Sequence, residues 1–161
     1  MIKTVEEIEA KKFDKQWILV DTPGQIEVFT WSASGQIITT SLASTLPTIL
    51  VYVVDLARCI DPNSFISNML FACSILYKNK LPMVVVFNKS DIGDAPKIMG
   101  WLKHFDKMLE EIDKDKSYLA SLTRSLSIVL DEFYQNLNVV AVSSHTGAGF
   151  DEFFKCVEVA K

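Results

Sequence analysis

Three short polar motifs follow apolar runs of this sequence, and their residue types could together bind a nucleotide. The first motif, DTPGQ, spans residues 21–25 and follows the run WILV. A carboxylate such as Asp21 can hold a hydrated Mg²⁺, which prefers oxygen ligands and keeps several waters. Gly24 has no side chain, so its backbone N–H can approach a terminal phosphate, and Gln25 could orient an attacking water. The alternative is a strand-end turn, in which Asp, Pro and Gly are common.

The second motif, NKSD, spans residues 88–91 directly after the run MVVVF. Guanine presents two N–H donors on its N1/N2 edge, and the carboxylate of Asp91 can accept both, whereas adenine offers no such pair. Asn88 supplies an amide for the other edge of the base and for tying neighbouring loops together, and Lys89 can lay its alkyl stem over the base plane. Such paired hydrogen bonds discriminate strongly, because the wrong base leaves buried polar groups unpaired. A polar turn is the alternative.

The third motif is the serine pair Ser143-Ser144, which follows the run VVAV. In a guanine site of this kind, the loop after the last strand offers backbone N–H groups to guanine O6, and Ser143 would brace that loop. The sequence TGAG at 146–149 is interpreted as a turn into the last helix. It lacks the lysine and the length of a G-x-x-x-x-G-K-[ST] phosphate loop.

The three motifs need a scaffold that brings them together, and a parallel sheet provides one. Four apolar runs rich in Val and Ile are typical of strands buried on both faces of such a sheet. In open parallel α/β sheets, ligands bind at the carboxyl ends of the strands. The runs end at Asp21, Asp55, Asn88 and Ser143; they are Trp17–Val20, Ile49–Val54, Met83–Phe87 and Val139–Val142.

Segments with helical spacing lie between the apolar runs. Asp61 followed by Pro62 is a good helix start, with the N-cap before a proline at the first helical position. The alternation predicts an α/β fold with a doubly wound, mostly parallel sheet, and residues 1–161 are predicted to form a single domain. Residues 25–46 are harder to assign, and Gly35 is expected to interrupt any helix there. The predicted helices cover residues 62–77, 98–112, 117–135 and 150–160.

Composition narrows the class of protein. Hydrophobic residues make up 49% of the 161 residues and charged residues 22%, which is enough apolar material for a buried core. The formal net charge of −4 argues against a broad nucleic-acid-binding surface. The three cysteines have no zinc-site spacing and are expected to be free thiols. No apolar stretch is long enough for a membrane span, and no signal peptide is evident, so we expect a soluble, intracellular protein.

The phosphate-binding loop that a GTPase site of this kind requires is absent from the sequence. A P-loop GTPase holds the β- and γ-phosphates with a G-x-x-x-x-G-K-[ST] loop between a strand and a helix, and no such motif occurs in these residues. We therefore expect an N-terminally truncated domain of P-loop NTPase type that lacks the P-loop strand and helix.

From residue 17 onward the sequence closely resembles the GPN-loop GTPases. The segments that carry the resemblance extend well beyond the shared GTPase motifs: they are DTPGQIEVFTWSASG at 21–35, SNMLFACSILYKNKLPMVVVFNKSD at 67–91, and LTRSLSIVLDEFYQNLNVVAVSS at 122–144. The sequence departs from the family in having neither the P-loop nor the Gly-Pro-Asn motif, both of which would lie upstream.

The resemblance implies a GTP-hydrolysing, Mg²⁺-dependent protein that acts as a homo- or heterodimer with another GPN-loop GTPase. The resemblance places Asp21 and Gly24 at the γ-phosphate switch, with Asp21 also as the metal ligand. It makes Gln25 and Glu27 the candidates for holding the attacking water. It assigns guanine binding to the second and third motifs, through Asn88, Lys89, Asp91, Ser143 and Ser144. Apolar residues of 25–46 would serve a dimer surface or pocket, or else pack in the core; they are Phe29, Trp31, Ile37 and Ile38.

The resemblance also implies a cellular role. The expected role is RNA polymerase II assembly and nuclear import, with polymerase subunits or assembly factors as partners, in a cytoplasmic protein that shuttles to the nucleus. The chain without its P-loop is expected to be inactive alone. The alternative is an inactive, truncated interaction module that keeps only dimerisation or partner-binding surfaces. An ATP-dependent enzyme of the same wider fold is disfavoured by the NKSD motif.

Overall fold

The computed structural model describes residues 17–104, 108, 133 and 137–160. The chain divides into two compact units, Met1–Thr48 and Ile49–Lys161, and each is described by itself. The first unit contains α1 (Ile26–Thr30) and α2 (Ala33–Thr45). The second contains, in chain order, β1 (Leu50–Asp55), a 3-10 turn (Leu56–Arg58), α3 (Pro62–Asn79), β2 (Met83–Asn88), α4 (Ala95–Lys103), β3 (Asn138–Ala141) and α5 (Phe150–Ala160).

A parallel three-stranded sheet organises the second unit. The strand order is β1-β2-β3, so β2 lies in the middle and pairs with both neighbours. Asp55 is in register with Asn88, and Phe87 with Ala141, so the carboxyl ends of the strands lie at one edge. This parallel α/β arrangement confirms the predicted fold class.

The central strand β2 is covered on both faces, as its unbroken apolar run predicts. Met83, Val85 and Phe87 belong to one buried cluster, together with residues of α3 and α4. Val84 and Val86 face the opposite way and pack in a second cluster with Val140, Val142 and, from α5, Val157. Helices therefore lie on both sides of the sheet, which is the doubly wound arrangement.

The helix starts follow local capping chemistry. The side chain of Asp61 accepts a hydrogen bond from the Ser64 amide at 2.9 Å, and Pro62 occupies the first turn of α3, as predicted. Helix α4 begins at Ala95, three residues before the predicted start, because Asp94 caps it by accepting from the Lys97 amide at 3.0 Å. Helix α5 matches its predicted range closely. The predicted helix 117–135 lies outside the described residues apart from Phe133, and the end of the predicted helix 98–112 lies outside them apart from Met108.

Two expectations about strands are wrong. Residues 17–20 belong to no strand, because the backbone pairs of the described sheet join only β1 with β2 and β2 with β3. Without a neighbouring strand on which to pack, Leu19 is 91% exposed. Strand β1 forms where predicted, but it alternates rather than being buried on both faces, and Val51 and Val53 are exposed. Strand β1 is an edge strand of the described sheet, so burial on both faces does not follow from its apolar composition alone.

The expectation that Gly35 would interrupt a helix is also wrong. Gly35 lies in the first turn of α2, where its backbone N–H donates to the capping Ser32 Oγ at 3.0 Å. A side-chain carbon at this position would collide with the backbone carbonyl of Phe29 in α1. The glycine is needed for the close approach of two successive helices, and helix propensity does not express this packing requirement.

The described helices include none long and apolar enough to cross a membrane. Cys59 and Cys73 are buried free thiols, and Cys156 is a partly exposed one, as expected. Burial raises the pKa of the Cys59 thiol to about 11, so this thiol stays protonated at neutral pH.

Candidate functional site

The first motif lies in the first unit, and its polar groups are open to solvent. Asp21, Gly24, Gln25 and Glu27 are all exposed. Gln25 is the N-cap position of α1, yet its side chain makes no capping bond, and Glu27 lies in the first turn of that helix. Space around Gly24 is open, because a side-chain carbon built there would meet no atom within 4 Å. The side chains and the Gly24 backbone are thus accessible to a ligand.

The second and third motifs come together at the carboxyl edge of the sheet in the second unit. Pairing continues past the end of β3, with the Val142 amide donating to the Phe87 carbonyl at 2.9 Å and the Ser90 amide donating to the Val142 carbonyl at 3.0 Å. These two bonds hold the NKSD loop beside the loop that follows β3. Residues 52 apart in the sequence thereby become neighbours.

Asn88 ties the two loops to each other. Its side-chain oxygen accepts from the Lys89 amide at 2.8 Å, and from both the amide and the hydroxyl of Ser144 at 3.0 Å. The Ser144 amide is therefore already engaged within the protein. The sequence predicts that backbone amides of this loop donate to guanine O6, and the Ser144 amide is not available for that role.

Ser143 positions Asp91. The Ser143 hydroxyl is fully buried and donates to Asp91 Oδ1 at 2.6 Å, while its Oγ accepts from the Thr146 amide at 3.1 Å. The hydrogen bond from Ser143 is the main cause that lowers the pKa of Asp91, and the nearby His145 and Lys89 contribute less. Asp91 is thus an exposed carboxylate that is ionised at neutral pH, and the buried Ser143 hydroxyl sets its orientation.

The loop after β3 closes tightly around Ser143. Ser143 donates its amide to the Ala148 carbonyl at 2.9 Å, and its own carbonyl accepts from Gly147 at 2.9 Å. Gly149 has a φ of +82°, and any side chain there would collide with the Ala141 carbonyl. The TGAG sequence is therefore the turn into α5 that the sequence indicated, and it holds the serine pair in place.

Lys89 is held by a residue that sequence reasoning left without a role. Its ammonium donates to Asp55 Oδ2 at 2.7 Å, and its backbone takes the left-handed conformation with φ of 68°, which non-glycine residues seldom adopt. The hydrogen bond from Lys89 is the largest cause of the lowered pKa of Asp55. The available sequence signal was the position of Asp55 directly after an apolar run, where the other three runs also end in functional candidates.

Comparisons with known proteins show which family the chain belongs to. A family model described as "Conserved hypothetical ATP binding protein" matches residues 1–161. The chain is 53% identical over 158 residues to GPN-loop GTPase 1 of Dictyostelium discoideum, and 50% identical over 161 residues to GPN-loop GTPase 1 of Saccharomyces cerevisiae. The chain belongs to the GPN-loop GTPase family.

The matches to these two GPN-loop GTPases cover most of this chain but less than half of each relative. They include 98% and 94% of the chain, and 40% and 42% of the length of the relatives. Among solved structures, a GTPase from Pyrococcus abyssi in its apo form has a TM-score of 0.79 over 97% of this chain and 63% of that protein. At 20% sequence identity, this likeness shows the GTPase fold.

The contact between Ser143 and Asp91 yields a prediction about acid sensitivity. Replacing Ser143 by Ala removes the main cause of the lowered pKa, so we expect the Asp91 pKa to rise in the variant. A lowered carboxylate pKa adds stability above the ordinary aspartate value, and this stability is lost as pH falls through the lowered pKa. Wild type should therefore exceed Ser143→Ala in unfolding free energy at neutral pH, and the gap should narrow on acidification.

Carboxyl carbon chemical shifts followed by NMR through a pH titration measure the Asp91 pKa directly. The matched control is Ser144→Ala, because the Ser144 hydroxyl contacts Asn88 instead of Asp91. An unchanged Asp91 pKa in Ser143→Ala, or an equal rise in Ser144→Ala, contradicts the assignment.

Proposed function

We propose that this chain carries the guanine-binding residues and the γ-phosphate switch of a GTP-hydrolysing protein. The observation that supports the proposal most strongly is the Ser143–Asp91 contact at the NKSD loop. Asp91 stays ionised, and one of its oxygens is fixed by a buried hydroxyl. An ionised, oriented carboxylate complements the adjacent N1–H and N2–H donors of guanine, and adenine has no matching pair.

The remaining contacts to the base follow from which polar groups the loops already use. Asn88 uses its side-chain oxygen to tie the loops, which leaves its amide nitrogen as the donor for guanine N7. The amides of Ser143 and Ser144 are engaged, whereas the His145 amide has no acceptor among the described residues. We assign the donor for guanine O6 to the His145 backbone. Ser143 and Ser144 then act by positioning Asp91 and Asn88.

The first motif is the proposed phosphate-binding part of the first unit. Asp21 is an exposed carboxylate. A single carboxylate fits Mg²⁺, which commonly binds through one or two carboxylates and takes its other ligands from waters and substrate phosphates. When bound, Mg²⁺ would neutralise phosphate charge. Gly24 offers its backbone N–H to the γ-phosphate, and Gln25 and Glu27 orient the attacking water.

The description of the family model mentions ATP binding, whereas the proposed site binds guanine. Replacing Asp91, the carboxylate that contacts the base, tests which nucleotide the protein prefers. In Asp91→Asn, the side chain offers one donor and one acceptor, which fits xanthine, because xanthine carries a carbonyl where guanine has its 2-amino group. We expect the full-length gene product to prefer GTP over ATP, and the variant to lose at least about tenfold in GTP affinity, since one good base contact is worth ~1–3 kcal/mol. The variant should gain affinity for XTP.

Calorimetric titration with GTP, ATP and XTP measures this preference, and Asp94→Asn serves as the control, because Asp94 caps α4 and contacts no part of the site. An unchanged nucleotide preference in Asp91→Asn would sink the guanine assignment.

Hydrolysis provides a separate test of the first motif. Gln25→Ala and Glu27→Ala should slow GTP hydrolysis by at least about tenfold while leaving GTP affinity nearly unchanged, because these residues would act on the attacking water. Single-turnover release of phosphate measures the chemical step. Full hydrolysis rates in both variants would remove these residues from the mechanism.

A cellular role in RNA polymerase II assembly and nuclear import extends the proposal. Its support is the resemblance of residues 21–35 and 67–91 to the family, together with exposed apolar residues of the first unit. Val28 and Ile37 are 52% and 55% exposed, and this exposure supports the proposal that they contribute to a surface for a dimer partner. GTP-dependent copurification with a second GPN-loop GTPase and with polymerase subunits tests this role. The proposed role also implies that the protein moves between cytoplasm and nucleus.

A second candidate function is an interaction module without catalytic activity. The observation that favours it is that the 161 residues contain no G-x-x-x-x-G-K-[ST] motif. Titration of the full-length gene product with a fluorescent GTP analogue separates the two, since an interaction module shows no binding at micromolar nucleotide.

A further inference from the structure

We infer that Asp55 is a positioning residue for guanine recognition, which acts by holding Lys89 in place. The inference rests on the proposed guanine site. Asp55 is the last residue of β1 and lies in register with Asn88, the last residue of β2. The sheet therefore delivers a carboxylate from one strand beside the NKSD loop that follows the next strand.

Both oxygens of Asp55 are engaged, so the carboxylate has a fixed orientation. Oδ1 accepts from the Ala57 amide at 3.1 Å, which caps the 3-10 turn, and Oδ2 accepts from Lys89 Nζ at 2.7 Å. Arg58 approaches the same oxygen at 3.7 Å, but its side chain is 88% exposed. The short contact to Lys89 is thus the one that fixes a side chain of the candidate site.

A second contact supports the NKSD loop at its other end. Gly93 packs against Leu56, the residue after Asp55, so closely that a side-chain carbon on Gly93 would lie 2.7 Å from a Leu56 methyl carbon. Leu56 is 1% exposed, and the amides of Ile92 and Gly93 both donate to the Lys89 carbonyl at 3.1 Å. Two consecutive residues, the last of β1 and the one after it, therefore brace the loop, Asp55 at Lys89 and Leu56 at Gly93.

The Asp55–Lys89 pair is better suited to preorganising a ligand site than to stabilising the fold. The side chains are 26% and 50% exposed, and pairs of this exposure contribute little to stability. A lysine stem is flexible, however, and immobilising it on binding costs free energy that a pre-formed contact removes. Lys89 also holds an unfavourable backbone conformation, which glycine would adopt more easily, so the side chain at this position has a use.

Asp55→Asn tests the inference with little disturbance to the fold. Asn is as good a cap as Asp, so its Oδ1 can still accept from the Ala57 amide. Its Nδ2 then lies where Oδ2 was and presents a donor to the Lys89 ammonium. We expect GTP affinity to fall about fivefold, in line with loss of a partly exposed ion pair, while the urea midpoint of unfolding changes little.

A double-mutant cycle separates positioning from a general structural effect. GTP and ATP affinities are measured by calorimetry on the full-length gene product for wild type, Asp55→Asn, Lys89→Met and the double variant. We expect Asp55→Asn to have no further effect once Lys89 is Met, because the carboxylate acts only through that lysine. Arg58→Gln is the matched control, since it removes the other cation beside Asp55, and its GTP affinity should equal that of wild type.

The outcomes distinguish the inference from the function on which it rests. A wild-type protein that prefers GTP over ATP, with unchanged GTP affinity in Asp55→Asn or with additive effects in the cycle, overturns the role of Asp55 alone. A wild type without preference for GTP overturns the guanine site and this inference with it. Asp55→Ser keeps a capping oxygen and removes the charge, and it replaces Asp55→Asn in the cycle if that variant does not fold.

Discussion

The parallel register of β2 with its two neighbours is the constraint on which the candidate guanine site depends. Register places Asp55 opposite Asn88 and Phe87 opposite Ala141, so the residues that follow all three strands leave the sheet at one edge. A slip of one residue would turn each of these side chains to the other face. The two buried clusters, one on each face of β2, prevent that slip, because Val85 and Val86 each fit only their own cluster.

The polar groups at this edge are largely satisfied by each other before any ligand binds. Asn88 accepts three hydrogen bonds, Ser143 both donates and accepts, and Asp55 uses both oxygens. A network in which each member has a partner is rigid, because breaking one contact leaves another group unpaired. Rigidity explains why residues 52 and 34 positions apart in sequence can present groups in fixed positions at one candidate site.

The sequence predicted what local patterns encode. The run MVVVF and the cap at Asp61 led to β2 and to the start of α3, and the NKSD motif could be placed at a strand end. Features set by packing between elements could not be predicted. Gly35 is needed because the helix that contains it packs closely against α1, and the exposure of Val51 and Val53 depends on which faces of the sheet are covered. Asp55 stands directly after an apolar run, which is a local signal, but its role depends on register with a strand 33 residues later, which the run does not specify.

The motifs of the two units differ in how they are held within their own unit, and the difference suits their proposed roles. In the second unit, buried Ser143 and bonds between loops fix the candidate base-binding residues, so under the proposed function these residues select guanine whichever phosphates are attached. In the first unit, the residues of the first motif are exposed, and Gln25 makes no capping bond. Groups without such internal contacts can change arrangement at small cost when a γ-phosphate arrives or leaves, as switch segments of nucleotide hydrolases do. Under the proposed function, a fixed reader of the base and a responsive phosphate end are what a nucleotide-controlled protein requires.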